Sequence, residues 1–421
     1  MLKNAVLFLF LISSLLGYAQ QERVSNINVQ GNKKLKTSFI KLISDLKPGE
    51  VLDSIVIERD IIRLKRLPAV AHAYFQVFPS NDEGYYNVFY NIEENFTINP
   101  QLNVYTTNDD EFAYRAGIYE FNTLGRNIAF GGFYQRDIFD SFGINLRAPF
   151  LFNNKIGLAL NFQDLTTQEP VFLDTGTADY KYNNTSFEIL GLYSFNFKHR
   201  IEAGITLFNE DYEFLAGATD LSIPQDFNVD KQLLKFVYEY NSLDFYYQYV
   251  NGFKSSFNLQ QVTADDDTLP DFLIFWNDVQ YFLRVGEKGN WANRLRFGLA
   301  TNTDSPFAPF SVDNNLNVRG VGNTIDRGTG VIVLNTEYRY TFLDKDWFVF
   351  QGNAFVDAGT WRNPGGDFGD FGNDQNMRVY PGLGLRFIHK KIFNATFRVD
   401  YGVGITPNST QGFVFGFGQY F

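Results

Sequence analysis

From about Phe96 to its last residue the chain repeats one pattern: segments of roughly ten residues in which polar and apolar side chains alternate, separated by turns. That period constrains the fold more than any other feature, because successive side chains of a strand point to opposite faces. In "VIVLNTEYRY", Ile332, Leu334, Thr336, Tyr338 and Tyr340 share one face, and Val331, Val333, Asn335, Glu337 and Arg339 share the other. "KIFNATFRVDYG" sets Phe393, Ala395, Phe397, Val399 and Tyr401 against Asn394, Thr396, Arg398 and Asp400. Each such strand has a greasy, aromatic face and a polar, charged one. A soluble sandwich would turn the charged face to the outside. A membrane barrel turns the greasy face to lipid and lines its lumen with the charged one.

Composition decides between the two. Aromatic residues make up 18% of the 421 residues, with 46 Phe and 24 Tyr, while mean hydropathy is only −0.20. The chain also opens as a secreted protein does. "MLK" is a short basic start, "AVLFLFLISSLL" an apolar core, and Gly17 and Ala19 the small residues of a cleavage site. This predicts a signal peptide over residues 1–19, cleaved after Ala19; the apolar run is too short for a spanning helix. The expected fold is therefore a transmembrane antiparallel β-barrel over residues 96–421. Its strand count is about sixteen, open by two because "DFYYQYVNGFKSSFNLQQVTA" reads as one long strand or two.

Several function classes are disfavoured by the same composition. The chain has no cysteine, hence no disulfide, thiolate metal site or lipoprotein anchor, and three histidines leave little for a catalytic or metal centre. A net charge of −11 argues against nucleic acid as a partner. "GVGNTIDRGTG" is glycine-rich, but no helix follows it to cradle a phosphate. The acidic turns "TADDD" and "NDEG" read as solvated loops. We expect no enzyme, no metal and no cofactor.

Residues 22–95 read differently. "SNINVQGN" is a strand ending in a Gly-Asn turn. In "TSFIKLISDL", Phe39, Leu42, Ile43 and Leu46 fall on one helical face, with Thr37 as the expected cap and "KPG" as the stop. "DSIVIERDIIRLKRLP" places Ile57, Ile61 and Leu64 on one face before Pro68, and "HAYFQVFPS" and "YYNVFYNIEE" are strands around a turn at Asn81–Gly84. The order β-α-α-β-β makes a small α/β domain.

These stretches resemble the BamA/TamA superfamily of outer-membrane proteins, in which POTRA domains precede a β-barrel. "INVQGN", "LKPGE", "DIIRLKRLP" and "VFYNIEE" are similar to the signatures of one POTRA domain. "FNTLGRNIAFGGFYQ" and "FGINLRAPFLFNNKIGLAL" resemble the first barrel hairpins, and "NVRGV" the inward-folded loop motif. "LNTEYRY", "AFVDAGTW", "YPGLGLRF", "FRVDYG" and "FVFGFGQYF" resemble the strands after that loop. The likeness spans essentially the whole mature chain. It departs at Val321, where the motif carries an aromatic, and in having a single POTRA where essential assembly factors have several.

The resemblance implies an ion cluster. Glu337 lies on the lumen face of its strand, and Asp357 falls with Gln351 and Asn353 on the lumen face of the next, the barrel's twelfth and thirteenth. Two inward carboxylates side by side need a cation. The resemblance assigns it to Arg319 on the inward loop, with Gly320 and Gly322 allowing a tight turn. The bland alternative leaves Arg319 solvated. At the other end of the chain, Phe413, Phe415, Phe417, Gln419 and Phe421 share a face and resemble the terminal signal of outer-membrane barrels. Gly412, Gly416 and Gly418 in that strand either weaken a closing seam or relieve crowding beside aromatic rings.

The function the resemblance implies is assembly, insertion or translocation of other proteins at the bacterial outer membrane. The POTRA domain would sit in the periplasm and capture substrate strands, and the seam between first and last strands would open laterally. Expected partners are the lipid bilayer, unfolded outer-membrane or secreted proteins, and periplasmic or lipoprotein accessory factors. The alternative is a dedicated exporter passing one secreted protein through the lumen. A passive porin, or a barrel serving an enzyme on another chain, is a third reading that the POTRA-like unit disfavours.

Overall fold

The computed structural model of the chain describes residues 21–106, 112–173, 175–221, 223–267, 269–305, 308–312, 317–321 and 326–421. The signal-peptide segment 1–19 and Gly322 lie outside the described residues.

The N-terminal unit has the expected order: β1 (Arg23–Gln30), α1 (Thr37–Ile43), α2 (Ser54–Lys65), β2 (Val70–Pro79) and β3 (Tyr85–Glu94). Its sheet runs β1-β3-β2, with β1 parallel and β2 antiparallel to β3. Phe39, Ile40 and Ile43 of α1 and Ile57, Ile61 and Leu64 of α2 bury against Val24, Ile27, Val88 and Tyr90 of the sheet. Two details differ from the sequence reading. Thr37 is not the cap of α1: Lys36 holds that position without a side-chain bond, and the helix ends at Ile43, before the buried Leu46. The lead-in is fixed instead from across the fold, because the Glu94 carboxylate accepts from the amides of Lys33 (2.8 Å), Lys34 (2.9 Å) and Leu35 (2.8 Å). No local pattern announces a cap that comes from sixty residues away. Similarly, buried Asp60 accepts from the amides of Asp45 (2.7 Å) and Leu46 (3.1 Å) and from the Tyr90 hydroxyl (2.9 Å). Burial pushes its carboxyl above the usual range, against those bonds.

The rest is one antiparallel barrel. Its first strands are β4 (Ile98–Thr106), β5 (Phe112–Thr123), β6 (Ile128–Arg136), β7 (Asp140–Ala148), β8 (Ile156–Leu173), β9 (Gly176–Ser194) and β10 (His199–Gly217). Then come β11 (Asp226–Asn241), the short β12 (Asp244–Tyr246), β13 (Tyr249–Ala264), β14 (Phe272–Val285) and β15 (Gly289–Ala300). The short β16 (Phe310–Val312) and β17 (Asp326–Gly328) pair only with each other. The chain finishes with β18 (Gly330–Asp344), β19 (Phe348–Arg362), β20 (Met377–His389), β21 (Thr396–Val403) and β22 (Gln411–Phe417). Setting aside the three short pieces, sixteen strands follow one another around the ring, and β22 returns beside β4. The ambiguous "DFYYQYVNGFKSSFNLQQVTA" stretch divides into the three-residue stub β12 and one long strand, β13, onto which the stub hairpins.

The alternation falls as the sequence sets it. On β18, Leu334, Tyr338 and Tyr340 face out and are exposed, while Val331, Val333, Asn335, Glu337 and Arg339 face in and are buried. The lipid-facing band carries Phe187, Ile189, Leu295, Phe297, Phe387 and Phe397. Strands β8 to β11 and β13 run to 16–19 residues, beyond the roughly 9–11 that cross a bilayer. Past the band, the outward residues of β9 become Asn183, Lys181 and Asp179. The surplus length thus continues as a sheet standing in water.

At the opposite, short-turn end the N-terminal unit is seated on the barrel. The Arg66 guanidinium donates to the carbonyls of Leu243 (2.7 Å), Phe197 (2.9 Å) and Asn241 (3.0 Å) and lies 5.2 Å from the Phe197 ring. Lys65 pairs with Asp244, the Tyr247 hydroxyl donates to Glu93 (2.9 Å), and the Lys36 amide donates to the Gly125 carbonyl (3.0 Å). Phe39 meets Phe150 at 5.9 Å between ring centroids. Polar and aromatic contacts from several turns hold the two parts together.

Candidate functional site: the inward loop and the closing seam

The connection between β15 and β18 folds back into the lumen. Its ends are tied by the β16–β17 ladder, and Val318 and Val321 bury with Val312, Val331, Val333, Trp361 and Tyr380 in an apolar cluster inside the barrel. Val321, at the position where an aromatic is expected, takes part in that cluster and is 1% exposed. Gly320 has φ of +100°, and a Cβ there would lie 2.8 Å from both the Gly402 carbonyl oxygen and Tyr380 Cδ1. From the other side, a Cβ on Gly402 would meet the Arg319 carbonyl oxygen at 2.4 Å. Loop and β21 touch backbone to backbone. Gly320→Val combines a disfavoured φ with overpacking, each costing about 1–3 kcal/mol. It is expected to lower the temperature at which the folded barrel loses its compact, heat-modifiable form in gel electrophoresis.

Arg319 is fully buried. Its Nε and Nη2 form a planar fork on Asp357 (2.7 and 2.9 Å), its backbone amide adds a third bond to the same carboxylate (3.0 Å), and Nη1 donates to Glu337 (2.6 Å). The guanidinium is sandwiched between the Phe355 ring at 3.7 Å and the Tyr420 ring at 4.5 Å. So the structure brings Arg319, Gly320, Glu337 and Asp357 together.

The cluster is larger than these residues. Asp400 on β21 lies 3.6 Å from Arg319 Nη1 and accepts from Arg386 Nη1 of β20 at 2.8 Å. Arg386 Nη2 is also 3.5 Å from Glu337, Arg398 Nη1 is 3.5 Å from Asp400, and Arg339 pairs with Glu337. The loop, four neighbouring strands and the C-terminal tail share one buried network. Alternation already put Arg339, Arg398 and Asp400 on the lumen face. What it lacked was the height of each residue in the barrel, which comes from register: Asp400 faces Gly384, whose missing side chain leaves room for it.

The C-terminal strand departs from the sequence reading. Phe413, Phe415 and Phe417 do share the lipid-facing side. Gln419 and Phe421 do not continue it, because β22 ends at Phe417 and Gly418 turns the chain at φ +86°. Gly418 thus lies beyond the strand rather than in it. Tyr420 then enters the lumen over Arg319 and Arg398, and Phe421 packs near Leu243, Phe282 and Ala292, 5.7 Å from the Arg339 guanidinium. Gly416 has a steric reason, since a Cβ there would lie 2.7 Å from Arg398 Nη2. Gly412 pairs with Gly402 across β21–β22.

At the seam, the seven residues of β22 fall short of the roughly 9–11 that span a bilayer. The residue leading into β4 is anchored elsewhere. Phe96 forms an isolated parallel bridge with Ile392, its amide donating to Lys391 O (2.8 Å) and its carbonyl accepting from Phe393 N (2.9 Å). The Asn99 side chain adds a bond to Phe393 O (3.0 Å). The lead-in to the first strand is thus also held by the β20–β21 turn, beside its pairing with β22. Among the described residues no group of three or more His, Cys, Asp or Glu is placed to hold a metal.

With this geometry in view, the comparisons with known proteins divide by region. Residues 22–99 match the POTRA family model, described as surface antigen variable number repeat. The N-terminal unit is a POTRA domain. No curated protein matches the chain. Among solved structures, the chain is similar to BamA from Haemophilus ducreyi lacking POTRA domains 1-3, at 15% identity and a TM-score of 0.54, over 94% of this chain and 83% of that one. It is also similar to CdiB from Acinetobacter baumannii, at 17% identity and a TM-score of 0.61, over 94% and 73%. CdiB from Escherichia coli gives 11% identity and a TM-score of 0.63, over 94% and 76%. All three share the fold over 94% of this chain.

Proposed function

We propose that this protein resides in the outer membrane with its POTRA domain in the periplasm, and that it assembles or inserts other barrel proteins. The observation that carries this reading is the seam. A seven-residue closing strand makes a short seam with β4, and opening it would expose backbone donors and acceptors of β4 at membrane depth, where unpaired groups are expensive. An incoming strand would satisfy them. The POTRA sheet edge would receive substrate strands first by strand addition. Burial of the client's apolar face supplies the driving force, so the reading needs no nucleotide, cofactor or covalent chemistry. Accessory periplasmic or lipoprotein factors are compatible partners.

A second reading, export of one dedicated protein through the lumen, is supported by the higher TM-scores to CdiB than to BamA. Export would require the inward loop, with its buried Arg319 network, to leave the lumen.

A photo-crosslinking residue in place of Gln101, exposed on β4, separates the two. Insertion predicts adducts with several unrelated barrel proteins during their biogenesis. Adducts confined to one secreted protein, or none with barrels, would count against it.

A further inference from the structure

Between the POTRA domain and the short-turn end of the barrel lies a cavity of about 340 Å³, within the range of about 300–1,000 Å³ usual for small-ligand sites. Its charge runs against that of the chain. Five basic side chains, Arg63, Arg66, Lys155, Lys198 and Arg200, line it against two acidic ones, in a protein of net charge −11. Three of the five are accounted for. Arg63 pairs with Asp45 (3.0 Å), Arg200 lies against Glu202 (3.1 Å) and Glu239 (3.2 Å), and Arg66 donates to the three turn carbonyls. The ammonium groups of Lys155 and Lys198 have no ion-pair partner among the described residues. Their turns are adjacent, since the Ser194 amide donates to Lys155 O and the Asn241 amide to Lys198 O, both at 2.8 Å. Paired lysines beside three arginines form a site for an anion.

The surroundings indicate which anion. Phe195 lines the cavity and is 51% exposed, and Phe152 on the neighbouring turn is 66% exposed. Phe195 keeps the outward parity of Phe187 and Ile189, which form the lipid-facing band higher on β9. Exposed aromatics at the edge of an apolar band mark the membrane–water interface. The cavity therefore opens at headgroup level, with basic groups inside and apolar rings at its edge.

We propose that this cavity binds the phosphate headgroup of an anionic phospholipid. Lys155 and Lys198 hold the phosphate, and the acyl chains run over Phe195 and Phe152. Because Arg63 and Arg66 of the POTRA domain form the opposite wall, the lipid bridges domain and barrel. This holds whether the protein inserts clients or exports them.

The test uses the full-length protein in mild detergent, titrated with phosphatidylglycerol or phosphatidylcholine and read by native mass spectrometry. Phosphatidylglycerol should be retained preferentially. A lysine near an anionic lipid surface contributes about fivefold, so Lys155→Gln with Lys198→Gln should cut that preference roughly 25-fold. The double Lys→Arg variant should keep it, and both variants should show the same heat-modifiability as the parent. Equal retention of the two lipids, or an unchanged preference in the glutamine variant, would overturn the proposal. So would displacement of the lipid by inorganic phosphate with the same lysine dependence, which would identify a free-phosphate site instead.

Discussion

Replacing Arg319 with alanine is expected to cost about 3–5 kcal/mol, the usual penalty for stranding buried charge, and to release the inward loop. The arginine satisfies two fully buried carboxylates and fills the gap between two aromatic rings. Arg319→Lys should recover little, because an ammonium cannot fork onto Asp357, reach Glu337 and stack on Phe355 together. Adding Asp357→Asn and Glu337→Gln to the alanine variant should recover part of the loss, since the stranded charges are then gone. Non-additivity of this kind distinguishes a coupled network from three independent contacts. The measurement is the temperature at which the folded band in gel electrophoresis converts to unfolded mobility, together with protease cleavage in the loop. A change below about 1 kcal/mol, the level of an exposed pair, would contradict the buried geometry.

The second large effect is expected at Arg66. Its guanidinium is the main polar link between POTRA domain and barrel, and burial pushes its pKa down to about 10, which leaves it charged at neutral pH. Arg66→Ala strands three carbonyls of the barrel turns at the junction. Hydrogen bonds from a charged group contribute about 1.5–3 kcal/mol each. The POTRA domain should stay folded, since its core of Phe39, Ile57, Leu64 and Val88 does not involve Arg66, but it should leave its seat. Hydrogen exchange reads this directly. The amide of Lys36, which donates across the junction to Gly125 O, should exchange at least tenfold faster, while the amides paired between β2 and β3 hold. Unchanged exchange at Lys36 would mean that Lys65, Tyr247 and Phe39 seat the domain without Arg66.

The parts of this molecule legible in the sequence are those set by local period. Alternation placed Glu337, Asp357, Arg398 and Asp400 inward and Phe413, Phe415 and Phe417 outward, since each follows from the two-residue repeat alone. The POTRA order was legible for the same reason, through helical spacing in "DSIVIERDIIRLKRLP". What stayed hidden depends on contacts between distant segments. Arg386 joins Asp400 through register, Glu94 caps a loop sixty residues away, and Arg66 reaches two separate barrel turns. The terminal strand misled because alternation carries no stop signal. Only the positive φ at Gly418 shows that Tyr420 and Phe421 turn inward. The lengths of β8 to β11 were hidden too, because a strand that leaves the bilayer keeps its alternation and changes only what its outer face carries.

The most direct test of the central claim is the quantified outer-membrane and secreted proteome after depletion of this protein. An assembly or insertion role predicts that several unrelated β-barrel proteins fall together, with their unfolded forms accumulating in the periplasm. Loss of a single secreted or surface protein, with the barrel proteins at their normal level, would contradict that role and assign the protein to export.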